Sequence, residues 1–264
     1  MSVASRMPTQ QIAGCGPQPA SELGGGLYFP LGKRALDVLG ALVGLVLSSP
    51  ILFLCGVAIW LDSPGVILYH QERVGRHGWP FRIIKLRTMT AGADRQGSKI
   101  TVSGDTRITR VGQFLRQTKL DEIPQLLNVL RGEMSLVGPR PEVPEYVALY
   151  TSAQRHVLVV RPGLTGPASL AFIDEERVLG AAPEKENFYR QVVMPAKLNL
   201  DLAYCRSISL LGDLKLLLRT TARTMRSTMN RARLPNPPTI ICAGNNGAPA
   251  LPAQGSRVRK GSME

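Results

Sequence analysis

The sequence is poor in the side chains that most often carry metal or nucleophilic chemistry. Its 264 residues include three histidines, His70, His77 and His156, and four cysteines, Cys15, Cys55, Cys205 and Cys242. The histidines fall into no paired spacing and the cysteines into no CxxC. That pattern argues against a zinc site and a disulfide framework, and it fits a reducing compartment. No P-loop, GxSxG elbow or GxGxxG turn occurs. Aromatic residues make up only 5% of the chain, thin material for stacking bases, so no nucleic-acid partner is expected. Acidic residues are in deficit too: 19 Asp and Glu against 32 Lys and Arg leave a formal charge of +13. A chain of that sign attracts anions, such as acidic lipid or phosphorylated substrates.

Charge is missing altogether from Val38 to Leu61. A bilayer takes about 20 apolar residues to span, and this run is long enough. It has no polar face, as a core helix would. Ser48, Ser49 and Pro50 sit at its middle. Proline removes one backbone N–H and crowds the preceding turn, so a break or bend is expected at Ser49–Pro50, with the serine hydroxyls satisfying the freed carbonyls. Each half is then roughly 15 Å long, about one leaflet. Both flanks are basic: Lys33 and Arg34 before it, Arg73, Arg76, Arg82, Lys85 and Arg87 after it. Positive charge marks the cytoplasmic side. A re-entrant hairpin over residues 31–64 therefore reads better than a kinked single crossing, which stays open as the alternative.

The rest divides by composition. Residues 1–30, rich in Gly, Pro, Gln and Ser, read as a disordered leader, and 230–264 as a disordered basic tail. Between them, 65–229 read as a compact α+β domain, mainly helical. Two short strands flank a turn at Gly78. Helices are expected over 105–118 and 123–130, a loop over 162–170, and a helical stretch from 184 interrupted near Pro195 and Gly212.

The stretch "TKLDEIPQLLNVLRGEMSLVGPRPE" poses the functional question. Ile123, Leu126, Leu127 and Leu130 make one helix face, and Pro124 suits only a first turn. Asp121 and Glu122 then stand at a helix N-terminus, where carboxylates cap N–H groups and complement the macrodipole; Thr118 with Asp121 approximates a capping box. The other reading is chemistry. Arg107, Arg110, Arg116 and Lys119 precede the pair, and Arg131 and Arg140 follow it. Cations beside two carboxylates suit a phosphate-and-metal site, although a solvated basic face explains them too. Pro139 and Pro141 stiffen the chain on both sides of Arg140, as a guanidinium aimed at phosphate requires. "RPG" at Arg161 repeats the idea more weakly.

These runs, with "KRALDVLGALVGLVLSSPILF", "RPGLTGPASL" and "VMPAKLNLDLAYCRSISLLGDLKLLLRTTART", resemble the bacterial sugar transferase family, the monotopic phosphoglycosyl transferases, over residues 31–225. The resemblance implies transfer of a sugar-1-phosphate from a UDP-sugar to undecaprenyl (polyprenyl) phosphate, with magnesium as cofactor and release of UMP. It makes Asp121 the nucleophile of a phosphosugar-aspartyl intermediate and Glu122 a metal ligand. Arg140, Arg116, Lys85, Arg87, Arg161 and Asp201 become substrate-binding positions, and Ser49 and Pro50 the break in the membrane helix. It implies the cytoplasmic face of the bacterial inner membrane, anionic lipid as a neighbour, and the first step of an exopolysaccharide, capsule, O-antigen or glycoconjugate. Larger members carry several membrane helices ahead of this core, so a chain with only a short polar leader is expected to work without them. A one-step transfer without a covalent intermediate stays open, as does a membrane-tethered basic binding or scaffold protein without catalysis. The sequence names neither the sugar nor the oligomeric state.

Overall fold

The structure is a computed structural model and describes residues 32–93, 101 and 105–230; the expected leader and tail lie outside them, apart from Asn230. The charge-free run forms one α-helix, α1 (Gly32–Asp62). Of the break or bend expected at Ser49–Pro50, no break is seen: helical structure continues through Pro50. The reason lies in the residue before the proline. Pro50 cannot donate to Val46 O, and the Ser49 hydroxyl does so instead at 2.8 Å, while Ser48 Oγ donates to Gly44 O at 2.6 Å.

The most apolar stretch of α1 has a mean hydropathy of 2.4, yet only 17% of it is buried. That combination excludes an ordinary core helix, which hides its apolar side chains. Leu47, Phe53 and Leu61 are each more than 70% exposed. A narrow stripe, Ala41, Cys55, Gly56 and Ile59, turns towards the rest of the chain.

Both ends of α1 are fastened to the same globular body. At the start, Lys33 Nζ lies 2.6 Å from Asp213 and 3.1 Å from Tyr204 Oη, all buried. Arg34 donates to the carbonyls of Val129 and Leu130, and Asp37 accepts from Leu136 N and Ser135 Oγ. At the far end, Cys55 and Ile59 pack with Leu86 and Leu115, and Asp62 accepts from Val111 N. Arg87 closes this end by donating to the carbonyls of Ser63 and Pro64.

A β-hairpin follows, β1 (Leu68–Val74) and β2 (Pro80–Leu86), antiparallel around Arg76–Gly78 as expected. Next come α2 (Arg110–Thr118), a 3-10 turn (Leu120–Gln125) and α3 (Leu126–Arg131). Asn128, fully buried on α3, accepts from Ile84 N and donates to Arg82 O and to Glu133. It thereby continues the open edge of β2 and locks α3 to the hairpin.

The segment expected as a loop is a second sheet: β3 (Ser135–Val137) pairs in parallel with β4 (Gly163–Thr165), with α4 (Pro144–Val147) between them and α5 (Pro167–Ala171) after. The approach is close. A Cβ on Gly163 would sit 2.1 Å from Gly138 N, and one on Gly166 2.2 Å from Gly138 O. Then come α6 (Glu175–Gly180), α7 (Lys185–Phe188), a π turn, α8 (Met194–Arg206) and α9 (Leu210–Asn230). Pro195 sits comfortably in the first turn of α8, and the interruption expected near Gly212 falls instead at 207–209.

Candidate active site

The dyad sits between two helices, capping neither. α2 ends at Lys119, whose left-handed backbone (φ 59°) turns the chain into the 3-10 turn. Such a conformation is uncommon for a residue other than glycine. Thr118 does not begin a capping box; its hydroxyl donates back to Phe114 and Leu115. The side chain of Asp121 caps nothing: it is buried, and its Oδ1 accepts no hydrogen bond. The capping expectation is therefore overturned. A buried carboxylate oxygen without a donor is costly, and such groups concentrate where function needs them.

Glu122 is the opposite case. Lys85 Nζ donates to its Oε1 at 3.0 Å, and Arg140 grips it with Nη2 to Oε1 at 2.6 Å and Nη1 to Oε2 at 3.4 Å. Three remote segments meet at this carboxylate: β2 brings Lys85, the 3-10 turn Glu122, and the chain after β3 Arg140. The Asn128 clamp sets the first against the second, and the tight β3–β4 contact sets the third.

The two acids are pushed apart electrostatically. Burial raises the Asp121 carboxyl and the adjacent Glu122 charge raises it further, to about 6, against the pull of Lys85, Lys119 and Arg116. For Glu122, burial also pushes upward, but Arg140, Lys85 and Lys119 outweigh it and hold the group well below the ordinary carboxylate range. Glu122 is thus a fixed anion, and Asp121 one that ionises close to neutrality. Burial lowers Lys85, with Glu122 opposing.

Behind Arg140 lies Asp201 on α8. Its Oδ1 accepts from Ala168 N at 3.4 Å and it also receives the backbone N–H of Arg140. Burial pushes its carboxyl up to about 7. Asp201 therefore supports the loop that carries Arg140. Glu142 fastens the far side of that loop, held by Arg73, Val143 N and the Tyr189 hydroxyl.

A cavity of about 1130 Å³ opens over the dyad, lined by Lys85, Arg116, Lys119, Asp121, Glu122 and Arg140 among others. Of the positions singled out in the sequence, Asp121, Glu122, Arg140, Lys85 and Arg116 therefore converge. Arg87 touches the cavity wall, but its guanidinium is engaged by the carbonyls after α1. Arg161 is not brought to the site: it donates to Gly132 O and braces the end of α3. Arg110 and Arg131 are exposed, while Arg107 pairs with Asp105. Sequence reasoning missed Lys197, Glu175 and Glu176, which line the same cavity. Lys197 stands one helical turn before Asp201, a spacing that could have singled it out.

Among the described residues no group of three or more His, Cys, Asp or Glu side chains could hold a metal ion. A divalent ion here would depend on one or two carboxylates completed by phosphate oxygens, the usual arrangement for magnesium. The buried Oδ1 of Asp121, which no donor engages, beside Glu122 fits that requirement.

The bacterial sugar transferase model matches residues 28–227. The chain is 43% identical over 201 residues to a UDP-glucose:undecaprenyl-phosphate glucose-1-phosphate transferase of Caulobacter vibrioides, covering 72% of this chain and 68% of the relative. It is 35% identical over 193 residues to a UDP-N-acetylgalactosamine-undecaprenyl-phosphate N-acetylgalactosaminephosphotransferase of Aeromonas hydrophila, covering 71% of this chain but 42% of that longer protein. An exopolysaccharide production protein of Sinorhizobium fredii is 34% identical over 213 residues, covering 74% of this chain and 87% of the relative. That family match runs over most of its length, and the chain belongs to the bacterial sugar transferase family.

Proposed function

We propose that this protein transfers a sugar-1-phosphate from a UDP-sugar to undecaprenyl phosphate, and that the phosphosugar passes through Asp121. The observation that carries the reading is the buried, undonated Oδ1 of Asp121 at the edge of a cation-lined cavity. In the first step the Asp121 carboxylate attacks the phosphorus bearing the sugar. A phosphorus–oxygen bond forms, and the bond to the bridging oxygen breaks, so UMP leaves with that oxygen. In the second step a phosphate oxygen of the acceptor attacks the same phosphorus and frees Asp121. Asp121 needs no base, because a carboxyl that titrates near 6 is largely ionised at neutral pH.

Glu122 serves as the fixed counter-charge that orders Lys85 and Arg140, and both cations face the incoming diphosphate. Glu122 together with the donor phosphates would hold magnesium, which when bound neutralises part of the diphosphate charge that repels a carboxylate nucleophile. Arg116 supplies a further cation at the cavity wall.

The same proposal places α1 in the cytoplasmic leaflet of the bacterial inner membrane as a re-entrant element. Support comes from the exposed apolar surface of its middle and from the fastening of both its ends to one body. The dyad is then held at headgroup height, where a soluble anionic donor meets a lipid phosphate on a basic surface. The product is the first lipid-linked sugar of a polysaccharide or glycoconjugate.

The test is release of UMP. Purified protein in detergent with magnesium and a polyprenyl phosphate is offered a panel of UDP-sugars, beside Asp121→Asn. Release from one sugar, abolished in the variant, is expected, together with phosphosugar trapped on Asp121 when acceptor is omitted. Wild-type release that survives in Asp121→Asn would sink the role given to this residue.

A further inference from the structure

Four cations around the dyad, Lys85, Arg140, Arg116 and Lys197, are already paired with carboxylates of the chain. Lys85 and Arg140 hold Glu122, and two more pairs come from the first turn of α6. Glu176 Oε1 lies 2.5 Å from Arg116 Nη2, and Glu175 lies 3.1 Å from Lys197 Nζ through both oxygens. Glu175 also acts electrostatically on Arg140. All of these side chains line the one cavity.

A diphosphate entering it needs cations, and it gains any of these four fully only by displacing a carboxylate. The structure shows which is easiest to displace. The Glu122 side chain is 13% exposed and gripped from two sides, and Glu175 is 24% exposed. Glu176 is 42% exposed and, among the described residues, has a single pair. An ion pair that wet contributes little, so its loss costs little. Its partner also has capacity to spare: among the described residues, Arg116 Nε donates to nothing and Nη1 reaches only Thr88 Oγ1, at 3.3 Å.

We propose that Glu176 is an internal competitor of the donor phosphate: it holds Arg116 when no donor is bound and yields it to the diphosphate of the UDP-sugar. This inference rests on the transferase reading above. Glu176 thereby sets donor affinity. Without substrate it keeps the half-buried Arg116 guanidinium neutralised, and it weakens the hold on stray anions that match Arg116 less well.

The experiment compares wild type, Glu176→Gln and Arg116→Gln/Glu176→Gln in the full chain, by calorimetric binding of UDP and by UMP release from the accepted UDP-sugar. Glu176→Gln is expected to tighten UDP and lower the donor KM about five- to tenfold, with the change in KM rather than kcat. The gain should vanish in the double variant, and the KM for polyprenyl phosphate should not follow. A donor KM that rises, or a kcat that falls with KM unchanged, would show that Glu176 positions Arg116 for the donor, and would overturn the proposal. Unaltered UDP binding in a folded Glu176→Gln protein overturns it equally. Wild-type protein that neither binds UDP nor releases UMP removes the transferase reading itself, and this inference with it.

Discussion

Asp121 and Glu122 are neighbours in sequence with opposite fates, because one faces no donor and the other faces two. Asp121 illustrates a stability cost placed at a functional residue. Its carboxyl titrates at about 6, above the ordinary value of 3.8. Between those values the folded chain binds more protons than the unfolded chain, so the group lowers stability as pH rises from about 4 to 6. Asp121→Asn is therefore expected to abolish UMP release while stabilising the fold by on the order of 2 kcal/mol at pH 7, a gain that disappears near pH 4 in thermal unfolding. Lost activity with lost stability would instead make Asp121 a structural residue. Wild-type kcat/KM for the donor should climb with pH through about 6 as the nucleophile ionises. The Glu122–Arg140 pair predicts a different pattern. Arg140→Met leaves a buried carboxylate with Lys85 alone and should cost about 2–4 kcal/mol, part of which Glu122→Gln restores in the double variant. Strictly additive losses in that cycle would deny the coupling. The dyad and Arg140 were legible in the sequence from their spacing and flanking prolines. Whether Asp121 capped a helix was not, because that depends on Lys119 entering the left-handed region, and a lysine gives no warning of it.

At the scale of elements, the site depends on short pieces whose sequence signal is weak. β3 and β4 are three residues each, too short for alternation to declare them, and parallel pairing joins residues 28 apart in the ladder, Ser135 with Gly163. "PGLTG" therefore read as a loop. What the sequence did contain was the glycines, and the structure explains them: Gly163 has room for a hydrogen and no more. Gly163→Ala would force backbone atoms apart, since a Cβ cannot lie 2.1 Å from Gly138 N. The expected loss is about 1–3 kcal/mol in denaturant unfolding, with a raised donor KM because Arg140 is two residues beyond Gly138. A stable variant with unchanged kinetics would show that the β3–β4 contact does not position Arg140. The hairpin, by contrast, was legible around its Gly78 turn. The helix α1 was legible in extent but not in continuity. Proline rules predict a lost hydrogen bond, and only the Ser49 hydroxyl on Val46 O shows how the helix is kept.

At the scale of the whole molecule, the proposed re-entrant topology rests on the attachment of α1. A straight helix of 31 residues is about 46 Å long and would carry its ends to opposite faces of a bilayer. Yet the first turns are clamped through Lys33 to Asp213 on α9 and through Arg34 to the carbonyls of α3, and the last turns pack on Leu86 and Leu115. One folded body cannot sit on both sides of a membrane, so these contacts favour the proposed re-entrant placement of α1 over a straight crossing. Taking Lys33 across would also remove the ammonium partner of the buried Asp213 carboxylate, a loss of roughly 3–5 kcal/mol for such a pair. Reporter fusions before residue 1 and after residue 264, read in intact cells, should therefore both lie in the cytoplasm. Lys33→Met is the sensitive variant. It removes the buried ammonium at the first turn, and it should lower thermal stability in detergent and allow a fraction of N-terminal fusions to appear outside. An N-terminus found outside in the wild type would mean that α1 crosses. The contacts at Lys33, Arg34 and Asp37 could not then form in the membrane-bound protein, and the placement of the dyad at the cytoplasmic headgroups would need another anchor.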